Sequence, residues 1–161
     1  YRELGQYDAA ISAFEEARGL WKKNKEVIHV ARCDQKIASC YNRLGDGEKA
    51  LDRARLALDV FETAHDHRRQ IITLFEYSKA LDLLEDYEEA LATLDQVLTT
   101  ASDEEPRDFE FIVDIESQIA SILRKVNREE EAIEIERRLS SVRAILADEE
   151  SSQKGSDSSD N

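Results

Sequence analysis

Apolar and polar residues alternate with a helical period along most of the chain, and one phrase returns four times. It reads "LGQYDAAISAFEEA" at residues 4–17, then "LGDGEKALDRARLA", "LLEDYEEALATLDQV" and "VNREEEAIEIERRL". Each copy spells the end of one helix, a tight turn and most of a second helix, because its apolar residues recur three and four positions apart. Aligned on the alanine of the second helix, Ala10, Ala50, Ala90 and Ala132 stand at steps of 40, 40 and 42 residues. A fixed period of that size marks stacked helix pairs, each of which buries its apolar face against its neighbours. The pattern predicts helices over 27–44 and 47–65, 69–84 and 87–101, and 104–126 and 129–147, with a first one over 7–22.

Twelve residues before the aligned alanine, on the preceding helix, stand Ala38, Ser78 and Ala120; seven after it stand Ala17, Ala57, Val97 and Leu139. A small residue on one helix therefore faces a small residue on the next, which lets the two axes approach closely. A bulky replacement there would overpack the crossing at about 1–3 kcal/mol. Leu20–Trp21 and Val60–Phe61, again 40 apart, extend the second helices by an apolar turn. "SDEE" (Ser102–Glu105) has the form of a capping box, and Pro106 falls where a first turn tolerates its missing N–H.

The pattern LG-x-Y-x-x-A-(I/L)-x-x-(F/A)-x-x-A resembles the tetratricopeptide repeat, whose usual period is about 34. It is clear in "LGQYDAAISAFEEA", good in the next two copies and weaker in the last. Gly47 stands where Tyr7 and Tyr87 supply the turn aromatic, and Asn127 and Glu129 replace both turn landmarks of the fourth repeat. The long period is similar to that of G-protein-modulator scaffolds, kinesin light chains, receptor-clustering proteins and the tetratricopeptide subunit of the ciliary outer dynein arm docking complex. The resemblance implies an all-α fold, a right-handed superhelix of antiparallel helix hairpins over residues 1–147, with repeats near 1–26, 27–66, 67–102 and 103–147. Beyond Asp148, "DEESSQKGSDSSDN" lacks apolar periodicity and reads as a disordered acidic tail over 148–161. Its serines stand among acids, a setting acidophilic kinases accept. The opening at Tyr1, late in a first helix and without methionine, reads as a piece of a longer protein. Helix 7–22 would then show an apolar stripe of Tyr7, Ala10, Ile11, Phe14, Ala17 and Trp21 that upstream repeats would cover. Glu136, at the place of Phe14, Ala54 and Leu94, fits a terminal repeat with a wet outer face.

In such folds the first helix of each repeat lines a concave groove. The resemblance places Arg32, Gln35, Lys36, Ser39, Asn42 and Arg43 there in the second repeat. Ile72, Phe75, Glu76, Lys79, Asp82 and Leu83 follow in the third, and Asp114, Ser117, Gln118, Ser121, Arg124 and Lys125 in the fourth. Arg32 and Lys36 share a helix face with Asn42 and Arg43 further along, a basic stripe able to seat an acidic peptide, with Ile72 and Phe75 as apolar anchors. Against this stands a solvated face bridged internally to Glu76 and Asp82. Arg32 and Lys36 resemble half of the clamp with which some relatives hold a C-terminal carboxylate, but the other half and the matching Asn in the third repeat are missing.

The charge balance then narrows the partner. With 22 Lys and Arg against 36 Asp and Glu, the net charge is −14, which opposes wrapping on nucleic acid or docking to an anionic membrane. No apolar run approaches the roughly 20 residues of a membrane span. Cys33 and Cys40, seven apart on one helix, have Cα atoms about 10 Å apart, beyond the roughly 7 Å reach of a disulfide, so a reducing, intracellular setting is expected. They take the places that Ile115 and Ile122 hold in the fourth repeat, so they read as core residues rather than as metal ligands with His29. "HDH" (His65–His67) reads as a surface turn, and "LGDGEK" lacks the strand and spacing of a phosphate loop. No pair of carboxylates is placed for acid–base work. The expectation is a non-enzymatic scaffold, without metal or cofactor, that binds a protein or peptide. Its expected place is the cytoplasm, by resemblance the cytoskeleton or ciliary axoneme; the alternative is an adaptor for a short acidic or phosphorylated peptide.

Overall fold

The computed structural model describes residues 2–103 and 107–156, with side chains for 4–103 and 107–152. Among the described residues the regular structure is entirely helical: α1 (Arg2–Lys23), α2 (Val27–Leu44), α3 (Gly47–Thr63), α4 (His67–Leu83), α5 (Tyr87–Asp103), α6 (Phe109–Lys125) and α7 (Glu129–Ser156). The chain divides into two parts, Tyr1–Asp108 with α1 to α5 and Phe109–Asn161 with α6 and α7. In the first part each helix packs on the next, and α2 also lies against α4; in the second, α6 packs on α7.

One backbone device makes five of the turns. Lys25, Gly45, His65, Glu85 and Asn127 adopt left-handed φ values of 60°, 78°, 55°, 62° and 61°. The N–H of each following residue then donates back to a carbonyl five positions earlier: Glu26 to Trp21 (3.0 Å), Asp46 to Tyr41 (3.0 Å), Asp66 to Phe61 (2.9 Å), Asp86 to Leu81 (2.9 Å) and Arg128 to Leu123 (2.8 Å). This is the Schellman arrangement, which satisfies the orphan carbonyls of a helix end. Asp46 and Asp66 then begin the next helix, their carboxylates accepting the N–H of Lys49 and Arg69, each at 3.1 Å. Only Gly45 takes the left-handed conformation without a Cβ; elsewhere it costs about 1–2 kcal/mol. Replacing exposed Glu85 by glycine is therefore expected to stabilise the chain by about 1 kcal/mol and raise its melting temperature by about 2–4 °C. An unchanged or lower melting temperature would mean that the left-handed turn is not the solution conformation.

The aligned small residues are buried: Ala38, Ala50, Ser78, Ala90 and Ala132 are 0% exposed and Ala120 2%, while Ala10 is half-buried. Gly47, the exception to the turn aromatic, also has a packing reason. A Cβ there would sit 3.0 Å from Leu83 Cβ and Leu84 Cγ and 3.1 Å from the Ala80 carbonyl oxygen. The end of α4 presses on the start of α3 and leaves no space for a ring.

Three expectations are corrected. The turn expected near Gly5 is absent, and α1 runs unbroken from Arg2. Among the described residues nothing lies within 4 Å of where a Gly5 Cβ would be, so no packing offsets the hydrogen bonds that a break would lose. Ser102 is not a cap: it lies inside α5, and α6 starts at Phe109, while Glu104, Glu105 and Pro106 lie outside the described residues. The expected disordered tail is helical as far as Ser156. Extending a formed helix through Glu, Ser and Gln costs little, and the Ser151 and Ser152 hydroxyls donate to the Ala147 and Asp148 carbonyls at 2.9 Å. Residues 157–161 lie outside the described residues.

Candidate protein-binding face

Helices α2 and α4 are joined by a ladder of polar side chains. Gln35 Nε2 donates to Thr73 Oγ1 at 2.8 Å and to the Arg69 carbonyl at 3.4 Å, and Thr73 Oγ1 donates to that carbonyl at 2.7 Å. Further along, Asn42 Nδ2 donates to the Glu76 carbonyl at 2.9 Å and to Glu76 Oε2 at 2.8 Å. With both amide hydrogens on oxygens of Glu76, a flipped amide would set oxygen against oxygen. Asn42 Oδ1 therefore points away, and it has no donor among the described residues. Lys79 Nζ bonds Glu76 Oε1 at 2.9 Å and lies 4.3 Å from the centre of the Phe75 ring.

The ladder sorts the expected groove residues. Gln35 and Asn42 of α2, bonded to Thr73 and Glu76 of α4, hold the two helices together, and Lys79 is tied to Glu76 within α4. Phe75, expected as an exposed anchor, is only 8% exposed: it is a core residue, with the Lys79 ammonium over its ring. Arg32, Lys36 and Arg43 are exposed along α2, Ser39 is half-buried, and Ile72 and Leu83 are exposed on α4. Among the described residues none of those three cations forms an ion pair. What remains open is a basic line on α2 and two exposed apolar side chains on α4.

Beneath it lies a cluster that sequence reasoning missed. Asp34, 2% exposed, accepts from Arg18 Nε of α1 and from an Arg53 guanidinium nitrogen of α3, each at 2.8 Å, and Arg53 also pairs with Glu15. Burial works against the Arg53 charge, but the bond it donates to Asp34 and the field of Glu15 outweigh it and hold its pKa above the usual arginine value. The signal available was an acid set among small and apolar residues in "ARCDQKIASC". A second link binds α4 to its neighbours: the Tyr77 hydroxyl donates to Glu89 at 2.8 Å, and Arg55 lies 5.8 Å over the ring.

In the second part, Asp114 and Ser121 are exposed and Ser117 is half-buried, bonded by Arg143 at 3.3 Å. Gln118 is half-buried and Lys125 exposed. Arg124 is held by Glu136 at 2.9 and 2.6 Å and by Glu129, and Arg138 bonds buried Glu116. The charge of Glu136 is thus an ion-pair partner within its own hairpin.

Burial pushes the thiols of Cys33 and Cys40 above their ordinary pKa. His65 and Asp66 of "HDH" form the left-handed turn and helix cap. Among the described residues no cluster of three His, Cys, Asp or Glu side chains could hold a metal ion, and no helix is long and apolar enough to cross a membrane.

The two caps titrate in a definite direction. The side chain and backbone N–H of Lys49 hold the Asp46 carboxyl below its ordinary value. Burial raises Asp66, but the bonds from Arg69 prevail and bring it below as well. A depressed folded pKa means that the stabilisation is present above the unfolded value of about 3.9 and is lost as pH falls through the folded value. Carbon-detected NMR titration is expected to place both midpoints below that of unfolded aspartate. Midpoints at or above it would mean that the caps are not formed.

Signatures of the tetratricopeptide repeat match residues 27–103 and, separately, residues 1–18, together more than half of the chain. Those residues are similar to the tetratricopeptide repeat family. The 27–103 match spans α2 to α5 and contains the whole α2–α4 face. No curated protein sequence matches the chain. Among solved structures, the nearly identical TPR-like repeats of a Podosopora anserina protein assigned as a kinesin light chain superpose with a TM-score of 0.66 at 16% identity, over 91% of this chain and 71% of that one. A single-substitution variant of that protein gives 0.69 at 16% identity, over 89% and 69%. At that identity the likeness is one of fold: an all-α helical repeat.

Proposed function

We propose that the chain is a non-catalytic scaffold that binds a protein partner through the α2–α4 face and holds it in a larger assembly. The observation that carries this reading is the exposed line of Arg32, Lys36 and Arg43, without an ion pair among the described residues, in a chain of net charge −14. Three cations without ion pairs among the described residues, amid so many acids, favour a ligand that brings its own negative charge. Exposed Ile72 and Leu83 on α4 would supply apolar contact, and the bonded ladder between α2 and α4 makes the face rigid, which lowers the ordering cost of binding. The likeness to a protein assigned as a kinesin light chain and the resemblance to the ciliary docking subunit favour a cytoskeletal or ciliary assembly.

The same basic line supports the second reading, an adaptor for a short acidic or phosphorylated peptide. Charge reversal separates the two. The full chain and its Arg32→Glu/Lys36→Glu/Arg43→Glu variant would each be titrated with a fluorescent Glu-rich peptide, and each used as bait in affinity capture. An adaptor is expected to lose both the peptide, by at least tenfold in affinity, and its captured proteins. A scaffold that also engages partners along α3 and α5 loses the peptide but retains part of the capture. If the variant matches the parent in both measurements, the face does not bind partners.

A further inference from the structure

Two exposed surfaces outside the α2–α4 face carry opposite charge, and each exposes large apolar side chains. The first is the turn joining α1 to α2. Leu20 is 57% exposed, Trp21 37% and Val27 61%, and Lys22, Lys23 and Lys25 lie among them in sequence, all exposed. Trp21 stacks on His29 with ring centroids 4.3 Å apart, so the indole is braced against α2. The second is the C-terminal half of α7. Ile145, 59% exposed, shares one helix face with Asp148, Glu149 and Ser152 by its spacing, and these four line an open hollow. Glu150 follows, also exposed. Among the described residues neither the three lysines nor the three acids form an ion pair.

We propose that these surfaces bind each other between copies of the chain. The α7 helix of one molecule lays Ile145 against Leu20, Trp21 and Val27 of a second, and Asp148, Glu149 and Glu150 meet Lys22, Lys23 and Lys25. Charge complementarity selects this occupant: three unpaired cations around an apolar centre face three unpaired acids beside another. An anionic membrane would also suit lysine and tryptophan, but a chain of net charge −14 is repelled by it. The two patches differ, so each contact pairs unlike surfaces of two copies. Each added copy brings another α2–α4 face, which would raise avidity for a repeated partner.

The test is light-scattering mass of the full chain over a wide concentration series at low and high salt. The mass is expected to climb above 18.4 kDa with concentration at low salt and to return to it at high salt. Emission of Trp21, the chain's single tryptophan, should shift to the blue as the mass rises. The Lys22→Glu/Lys23→Glu/Lys25→Glu variant should remain monomeric, and so should the Asp148→Lys/Glu149→Lys/Glu150→Lys variant. An equimolar mixture of the two should associate again, because each now carries the complement of the other. Circular dichroism checks that both are folded, and Val27→Asp, at a position 61% exposed, gives an independent reading if one is not. A monomeric mass at every concentration, association that survives either reversal, a mixture that stays monomeric, or a blue shift only on phosphatidylserine vesicles would each overturn the proposal.

Discussion

Replacing Asp34 by alanine is expected to destabilise the chain by about 3 kcal/mol, toward the lower end of what removing one partner of a buried ion pair costs. The carboxylate is 2% exposed and is shared by Arg18 of α1 and Arg53 of α3. Its loss leaves two guanidinium groups, each about a quarter exposed, facing one another across the space it occupied. They remain partly solvated, which keeps the loss from the upper end of the range. Asp34→Asn keeps an acceptor oxygen and should lose less. Urea unfolding of the three proteins checks the order. If Asp34→Ala unfolds within 1 kcal/mol of the parent, the arginines are held by solvent rather than by the acid.

Phe61→Ala is expected to cost about 3–5 kcal/mol. The ring is 0% exposed and packs with buried Ala31 and Ala57 and partly buried Ile28 and Val60. It fills the extra turn that lengthens the repeat, and its fully buried neighbours, Ala31 and Ala57, are too small to collapse into the space left behind. Thermal or chemical unfolding measures the loss. A change under 1 kcal/mol would show that the extension of α3 is not part of the core.

These two sites differ in how far they could be read beforehand. The pair Val60–Phe61 was legible because it repeats Leu20–Trp21 at 40 residues, and periodicity reports which face of a helix is buried. The helix hairpins were legible for the same reason, and so was the turn position shared by Gly45, Glu85 and Asn127. Asp34 was not. Its partners stand 16 and 19 residues away on two other helices, and only packing brings them together. Phe75 was misplaced because the groove was counted from a repeat pattern, and that count could not foresee Lys79 over the ring. The continuation of α7 escaped notice because apolar periodicity marks helices that pack, whereas residues 149–152 lie on a helix with their side chains exposed.

The central claim, that α2 and α4 present the partner-binding surface, is tested most directly by mapping amide chemical-shift changes while a Glu-rich peptide is added to the labelled chain. The predicted result is a set of perturbed amides concentrated on α2 around Arg32, Lys36 and Arg43 and on α4 around Ile72 and Leu83, fading as salt is raised. Perturbations centred on α3 and α5, or none at peptide saturation, would contradict it.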